Sequence, residues 1–147
     1  MTFEEWRETD SGYDTTLDAI YKINRGEEAS LEGLLYKEYL KENNMRAPRI
    51  YTITRQDLSL GQKIVQSNHA STQYLIDHSP HKKGEWNNGS IICLELGNEK
   101  SLKRWIKKLE AQGIKYSLFR EPDLDHAITA IAILHQGDIF KGIPLIK

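Results

Sequence analysis

The run Gln66-Ser67-Asn68-His69 places a histidine, which can exchange a proton near neutral pH, beside an amide and a hydroxyl that can orient a partner through hydrogen bonds. Seven residues upstream of Gln66, Ser59 stands three before Gln62. That is the spacing of a capping box, in which the serine hydroxyl accepts from a first-turn N–H and the glutamine reaches back. A helix starting there offers free N–H groups and the positive end of its dipole to phosphate or another anion. Residues 57 to 76 thus combine an anion-attracting helix start with a proton-transfer group. Spacing alone leaves two readings of His69 level. It shares a stripe with Val65, Thr72 and Ile76, so a half-buried core histidine fits as well as a functional one.

The elements that must position this stretch follow from periodicity. Ile50-Tyr51-Thr52-Ile53-Thr54 is β-branched and aromatic and reads as a strand. On the helix after it, Ile64, Val65, Thr72, Leu75 and Ile76 recur at helical spacing and are expected to face a sheet. Residues 78 to 89 read as a polar loop. A metal reading of His78 and His81 lacks a third ligand of suitable spacing, so a solvated loop is preferred and no metal is assigned. Lys82, Lys83 and Trp86 either touch nucleic acid or form a surface loop whose tryptophan packs on the fold.

Ser90 to Leu96 reads as a buried strand. A helix starting at Asn98 or Ser101 runs to Gln112, with Leu102, Trp105, Ile106 and Leu109 inward and Lys100, Lys103, Arg104, Lys107 and Lys108 outward. Gly113 ends it. Ile114 to Arg120 reads as a strand, residues 121 to 126 as an acidic loop, and Ile128 to Leu134 as a central apolar strand. Strands alternating with helices predict one α/β domain over residues 48–147, a three-layer α/β/α arrangement around a mixed sheet of about four strands. Residues 1–47 read as an acidic helical extension. Residues 1 to 12 show no clear period, while helices from Thr15 to Gly26 and from Ser30 to Asn43-Asn44 form a hairpin. Its apolar stripes need cover from the chain's own domain, a second subunit or another protein.

Composition narrows the class. Hydrophobic residues make up 39% and charged residues 28% of the 147, as in ordinary globular proteins. No apolar run reaches membrane-spanning length and the first residues are acidic, so a cytoplasmic protein is expected. Cys93, the single cysteine, lies in an apolar run and reads as a buried structural thiol. Residues 1–45 hold 11 acidic and 5 basic side chains, whereas residues 46–147 hold 10 acidic and 15 basic. The larger part is therefore suited to an anionic partner.

Asp57-Leu58, Leu60-Gly61 and Gln66-Ser67-Asn68-His69-Ala70 occur in an order that resembles the archaeal and eukaryotic type of peptidyl-tRNA hydrolase, the second structural class of that enzyme. In that family a strand ending in an Arg-x-Asp-Leu-like turn leads into Met-Gly-Lys-Gly-Lys and then Gln-Cys-Ser-His-Ala on the first helix. The likeness covers about residues 49 to 147 and includes Gly113-Ile114-Lys115-Tyr116-Ser117-Leu118 and Thr129 at the start of the final apolar strand. The resemblance implies metal-free, cofactor-free hydrolysis of the ester joining a peptide to tRNA. Its parts would be His69 for proton transfer, Glu121 or Asp123 as a carboxylate and the Thr129 hydroxyl as a donor. Gly61, Gln62 and Gln66 would meet the anion or RNA with Arg55 and Lys63. A homodimer is compatible with family precedent. The family's functional lysine falls on Gln62 here, and Lys63 points about 100° away around the helix. That departure supports a competing reading, a non-catalytic RNA-binding or protein-interaction module on the same fold.

Overall fold

Three segments that carry β-branched side chains, and a fourth, SLFRE, that carries none, become strands in the computed structural model, which describes residues 1–9, 31–43 and 45–147. Strands β1 (Arg49–Thr54), β2 (Ile91–Glu95), β3 (Ser117–Glu121) and β4 (Ala127–His135) form one sheet in the order β2-β1-β4-β3. β1 runs parallel to β2, and β4 is antiparallel to both β1 and β3. Helix α3 (Leu60–His78) joins β1 to β2, and α4 (Glu99–Ala111) joins β2 to β3. The class is mixed α/β, with the apolar β4 inside the sheet. The expected helix from Thr15 to Gly26 lies outside the described residues.

Successive strand residues point to opposite faces. Tyr51, Ile53, Leu94, Ile131 and Ile133 face α4, where Leu102, Ile106 and Leu109 complete the main apolar core. Each such side chain, once buried, contributes roughly 1.5 to 3 kcal/mol. Asn98 caps α4 by accepting from the Ser101 N–H, and Gly113, at φ +66°, takes the left-handed conformation that ends it. The C-terminal tail shields the open edge of β2: Glu95 N–H donates to the Pro144 carbonyl and Ile146 N–H to the Cys93 carbonyl.

The other sheet face reverses one expectation. The side chains that α3 buries are Lys63, Gln66, Ser67, Ala70, Ser71 and Tyr74, whereas Ile64, Val65 and Ile76 are 51%, 48% and 67% exposed. The sheet explains it, because the face under α3 is small or polar. Ala70 and Tyr74 pack on Ala130 and Ala132. Thr52 and Ser67 share a 2.5 Å hydrogen bond, and the Ser117 hydroxyl donates to Asp77 Oδ2 at 2.5 Å. Polar groups buried in matched pairs keep their hydrogen bonds, so this stripe faces inward despite the apolar period on the far side. Cys93, on edge strand β2, is only partly buried and accepts a hydrogen bond from the Ser67 hydroxyl.

Residues 1–47 with 80–88 form one compact unit, and 48–79 with 89–147 another. In the first, helix α1 (Phe3–Arg7) has a full capping box between Thr2 and Glu5, so the N-terminal residues are more ordered than their lack of period suggested. Trp6 is buried against Leu35, Tyr39 and Leu40 of α2 (Leu31–Glu42), and its indole N–H donates to Glu42. Trp86 is buried too, which removes it as a stacking platform for a base.

Candidate active site

One irregularity in the sheet creates the site. Phe119 pairs with Ala130 but Arg120 pairs with Ile128, so Thr129 is an extra residue in β4, a β-bulge. A bulge re-aims side chains. Ile128 joins the core under α4, while the Thr129 hydroxyl reaches α3 and donates to Gln66 Oε1 at 2.5 Å. The Thr129 carbonyl accepts from the Arg55 N–H at 3.1 Å, which ties the bulge to the end of β1.

Gln66 passes the constraint on, since its Nε2 donates to Glu121 Oε2 at 2.5 Å. The other Glu121 oxygen accepts from the Asp123 N–H at 3.4 Å, within a short 3-10 turn, Pro122–Leu124. Glu121 is thereby held from two directions. It opens onto a cleft of about 310 Å³ lined by Gly61, Gln62, Val65, Gln66, Asp123 and Leu124, together with Leu58. Ser59 caps α3 at this same end, accepting from the Gln62 N–H while Gln62 Oε1 accepts from the Ser59 N–H.

The residues singled out in the sequence therefore fall into three groups. Gly61, Gln62, Gln66, Glu121 and Asp123 meet at one cleft. His69 is exposed one turn beyond Gln66, its ring stacked on Phe119 at 4.3 Å between centroids and 7° between planes. Phe119 precedes Glu121 by two residues on β3, so the histidine flanks the cleft on the same face. Thr129, at 0% exposure, lies beneath it, and its hydroxyl is committed to Gln66 rather than offered to a bound molecule.

Arg55 and Lys63 do not line the cleft, and local pairing explains both. Arg55 donates twice to the Asp57 carboxylate, at 2.9 and 2.7 Å, which raises the guanidinium pKa and lowers that of Asp57. Lys63 turns into the protein and pairs with Glu95 at 2.5 Å. That hydrogen bond, ahead of the opposing effect of burial, holds the Glu95 carboxyl below its usual range. Lys63 is thus an interior cation, not a surface one for RNA. Sequence reasoning missed Glu95, hidden in a strand read as buried, and Phe119, whose place two residues before Glu121 was the available signal. Among the described residues no cluster of histidine, cysteine and carboxylate side chains could hold a metal ion, and no helix is long and apolar enough to cross a membrane.

No protein-family model matches the chain, and no curated protein does. A solved structure, "Structure of Protein of Unknown Function Atu0240" from Agrobacterium tumefaciens C58, aligns with 69% of this chain and 98% of its own at 18% identity and a TM-score of 0.49.

Proposed function

We propose that the chain hydrolyses the ester of peptidyl-tRNA or N-acyl-aminoacyl-tRNA, a cytoplasmic task in translation. The observation that carries the reading is the Thr129-Gln66-Glu121 relay, which fixes a carboxylate at the mouth of a cleft beside a helix start. Glu121 orients a water molecule and accepts its proton as the water oxygen attacks the ester carbonyl. First-turn N–H groups near Gly61 face the negative charge that develops on the carbonyl oxygen. His69, beside the cleft, gives a proton to the departing ribose oxygen as the C–O bond breaks. The resemblance in sequence supplies the substrate class, and the meeting of Gln66, Glu121 and Gly61 at one cleft supports it.

The second reading is a non-catalytic RNA-binding or protein-interaction module. It draws on the commitment of Lys63 to Glu95, which leaves the cleft without a cation among its lining residues. Release of free tRNA from N-acetyl-aminoacyl-tRNA decides between them. Turnover that falls in Glu121→Gln and His69→Ala while both variants stay folded supports hydrolysis. No turnover by the wild type at high protein concentration sinks it.

A further inference from the structure

The lining of the cleft bears two carboxylates, Glu121 and Asp123, and no basic side chain. Lys63 is neutralised indoors by Glu95 and Arg55 is clamped by Asp57. A polyanionic RNA must be held by cations, so on the hydrolase reading those cations lie outside the cleft. The strand that carries Glu121 leads to them. Glu121 faces α3, and its neighbour Arg120 lines a groove on the α4 side of the same strand. β3 is an edge strand, so the two sites flank one rim of the sheet.

That groove, about 560 Å³, is also lined by Lys100, Lys103, Arg104 and Lys107 of α4. Its one carboxylate, Glu110, accepts a hydrogen bond from the Tyr116 hydroxyl at 2.7 Å. Lys103 makes an exposed pair with Glu99 at 3.0 Å, a contact worth little in water. Lys100, the adjacent pair Lys103 and Arg104, and Lys107 mark successive turns, three or four residues or about 4.5 to 6 Å of axial rise apart. The result is a row of repeated positive charge, suited to the repeated charge of a phosphate backbone. An acidic amphipathic helix is the rival occupant, since the half-buried Tyr116 and Leu118 also line the groove, but five cations against a single carboxylate, set in a row, match a phosphate backbone better.

We propose that this groove binds the phosphate backbone of the RNA, so that a tRNA straddles β3 with its phosphates against α4 and its acylated end in the cleft. The inference rests on the hydrolase reading for the identity of the RNA, and its test needs no turnover. Fluorescence anisotropy of labelled, deacylated tRNA is measured across a salt series for the full chain, for Lys100→Gln/Lys107→Gln and for Lys82→Gln/Lys83→Gln. Each neutralised phosphate contributes about 0.7 to 0.9 to the slope of log affinity against log salt, so the groove pair lowers the slope by about 1.5 and weakens binding at low salt at least about fivefold.

The Lys82/Lys83 pair, with the same charge lost, changes the slope far less, and Lys100→Arg/Lys107→Arg restores wild-type binding. Thermal melts by circular dichroism establish that each variant is folded. Equal effects of the two glutamine pairs, or none from the groove pair, overturn the inference. So does a glutamate-rich helical peptide that binds with the same dependence on Lys100 and Lys107 while tRNA does not bind. Hydrolysis by the wild type with the groove pair silent overturns the groove alone. Groove-dependent tRNA binding without hydrolysis sinks the enzyme and upholds the groove.

Discussion

The Thr129 hydroxyl donates to Gln66 Oε1 at 2.5 Å from a bulge that places one extra residue in β4 opposite Phe119 and Arg120. Because Gln66 in turn donates to Glu121, a buried threonine sets the position of an exposed-side carboxylate. On the proposed hydrolase reading, Thr129 is a positioning residue whose effect on chemistry passes through the Gln66 amide.

Thr129→Val keeps the shape and removes the donor, leaving Gln66 Oε1 without that bond. Loss of one partner from a buried hydrogen bond costs about 1 to 3 kcal/mol. Chemical denaturation should show that loss. Turnover of N-acetyl-aminoacyl-tRNA should fall through kcat with KM little changed, and Thr129→Ser should restore most of both. A purely structural threonine would lower stability without the kcat effect, which separates the two roles.

Glu121 and Asp123 were alternatives on sequence grounds, and the relay distinguishes them. Gln66 donates to Glu121, while the Asp123 backbone N–H only supports it. Glu121→Gln should lower kcat by about 10² or more, in the range for loss of a general base. Asp123→Asn should cost less than about tenfold on the same scale. The reverse order in a steady-state assay would assign the carboxylate to Asp123.

The contrast between α3 and α4 shows what the sequence made legible. In α4, the apolar positions Leu102, Ile106 and Leu109 face an apolar sheet, so periodicity and burial agree. In α3 the inward stripe runs through Lys63, Gln66 and Ser67, whose burial depends on partners 15 to 63 residues away in sequence. A local period carries no trace of such partners. The same reason hid the bulge at Thr129, which exists only as a mismatch of register between two strands. Gln66, Glu121 and Thr129, far apart along the chain, are joined by hydrogen bonds in the fold, but the burial of Thr129 and the inward turn of Lys63 needed three dimensions.

The inverted face of α3 makes its own prediction. Ile64→Ser and Ile76→Ser replace exposed side chains and should leave unfolding within about 0.5 kcal/mol of wild type. Ala70→Leu adds bulk where Ala70 meets Ala130 and Ala132 and should destabilise by about 1 to 3 kcal/mol. Urea titrations measure both. Large losses at Ile64 and Ile76 with tolerance at Ala70 would mean that the helix packs by its apolar stripe instead.

The Lys63–Glu95 pair supplies the pH dependence. Glu95 is buried, and in the fold its carboxyl is held below its usual value, chiefly by Lys63. The pair therefore contributes stability above the unfolded glutamate pKa of about 4.3. That contribution is lost as pH falls from there through the lower folded value, because the unfolded chain takes up the proton first. Lys63→Met strands the carboxylate and should cost about 3 to 5 kcal/mol at neutral pH. Adding Glu95→Gln should recover part of the loss and flatten this component of the acid limb, measured by urea unfolding between about pH 3 and 7. The same double variant, once folded, should keep the wild-type salt slope for tRNA, because Lys63 is inside the protein and neutralises no phosphate. A drop in slope of about 0.7 to 0.9 would instead return Lys63 to the surface as an RNA contact.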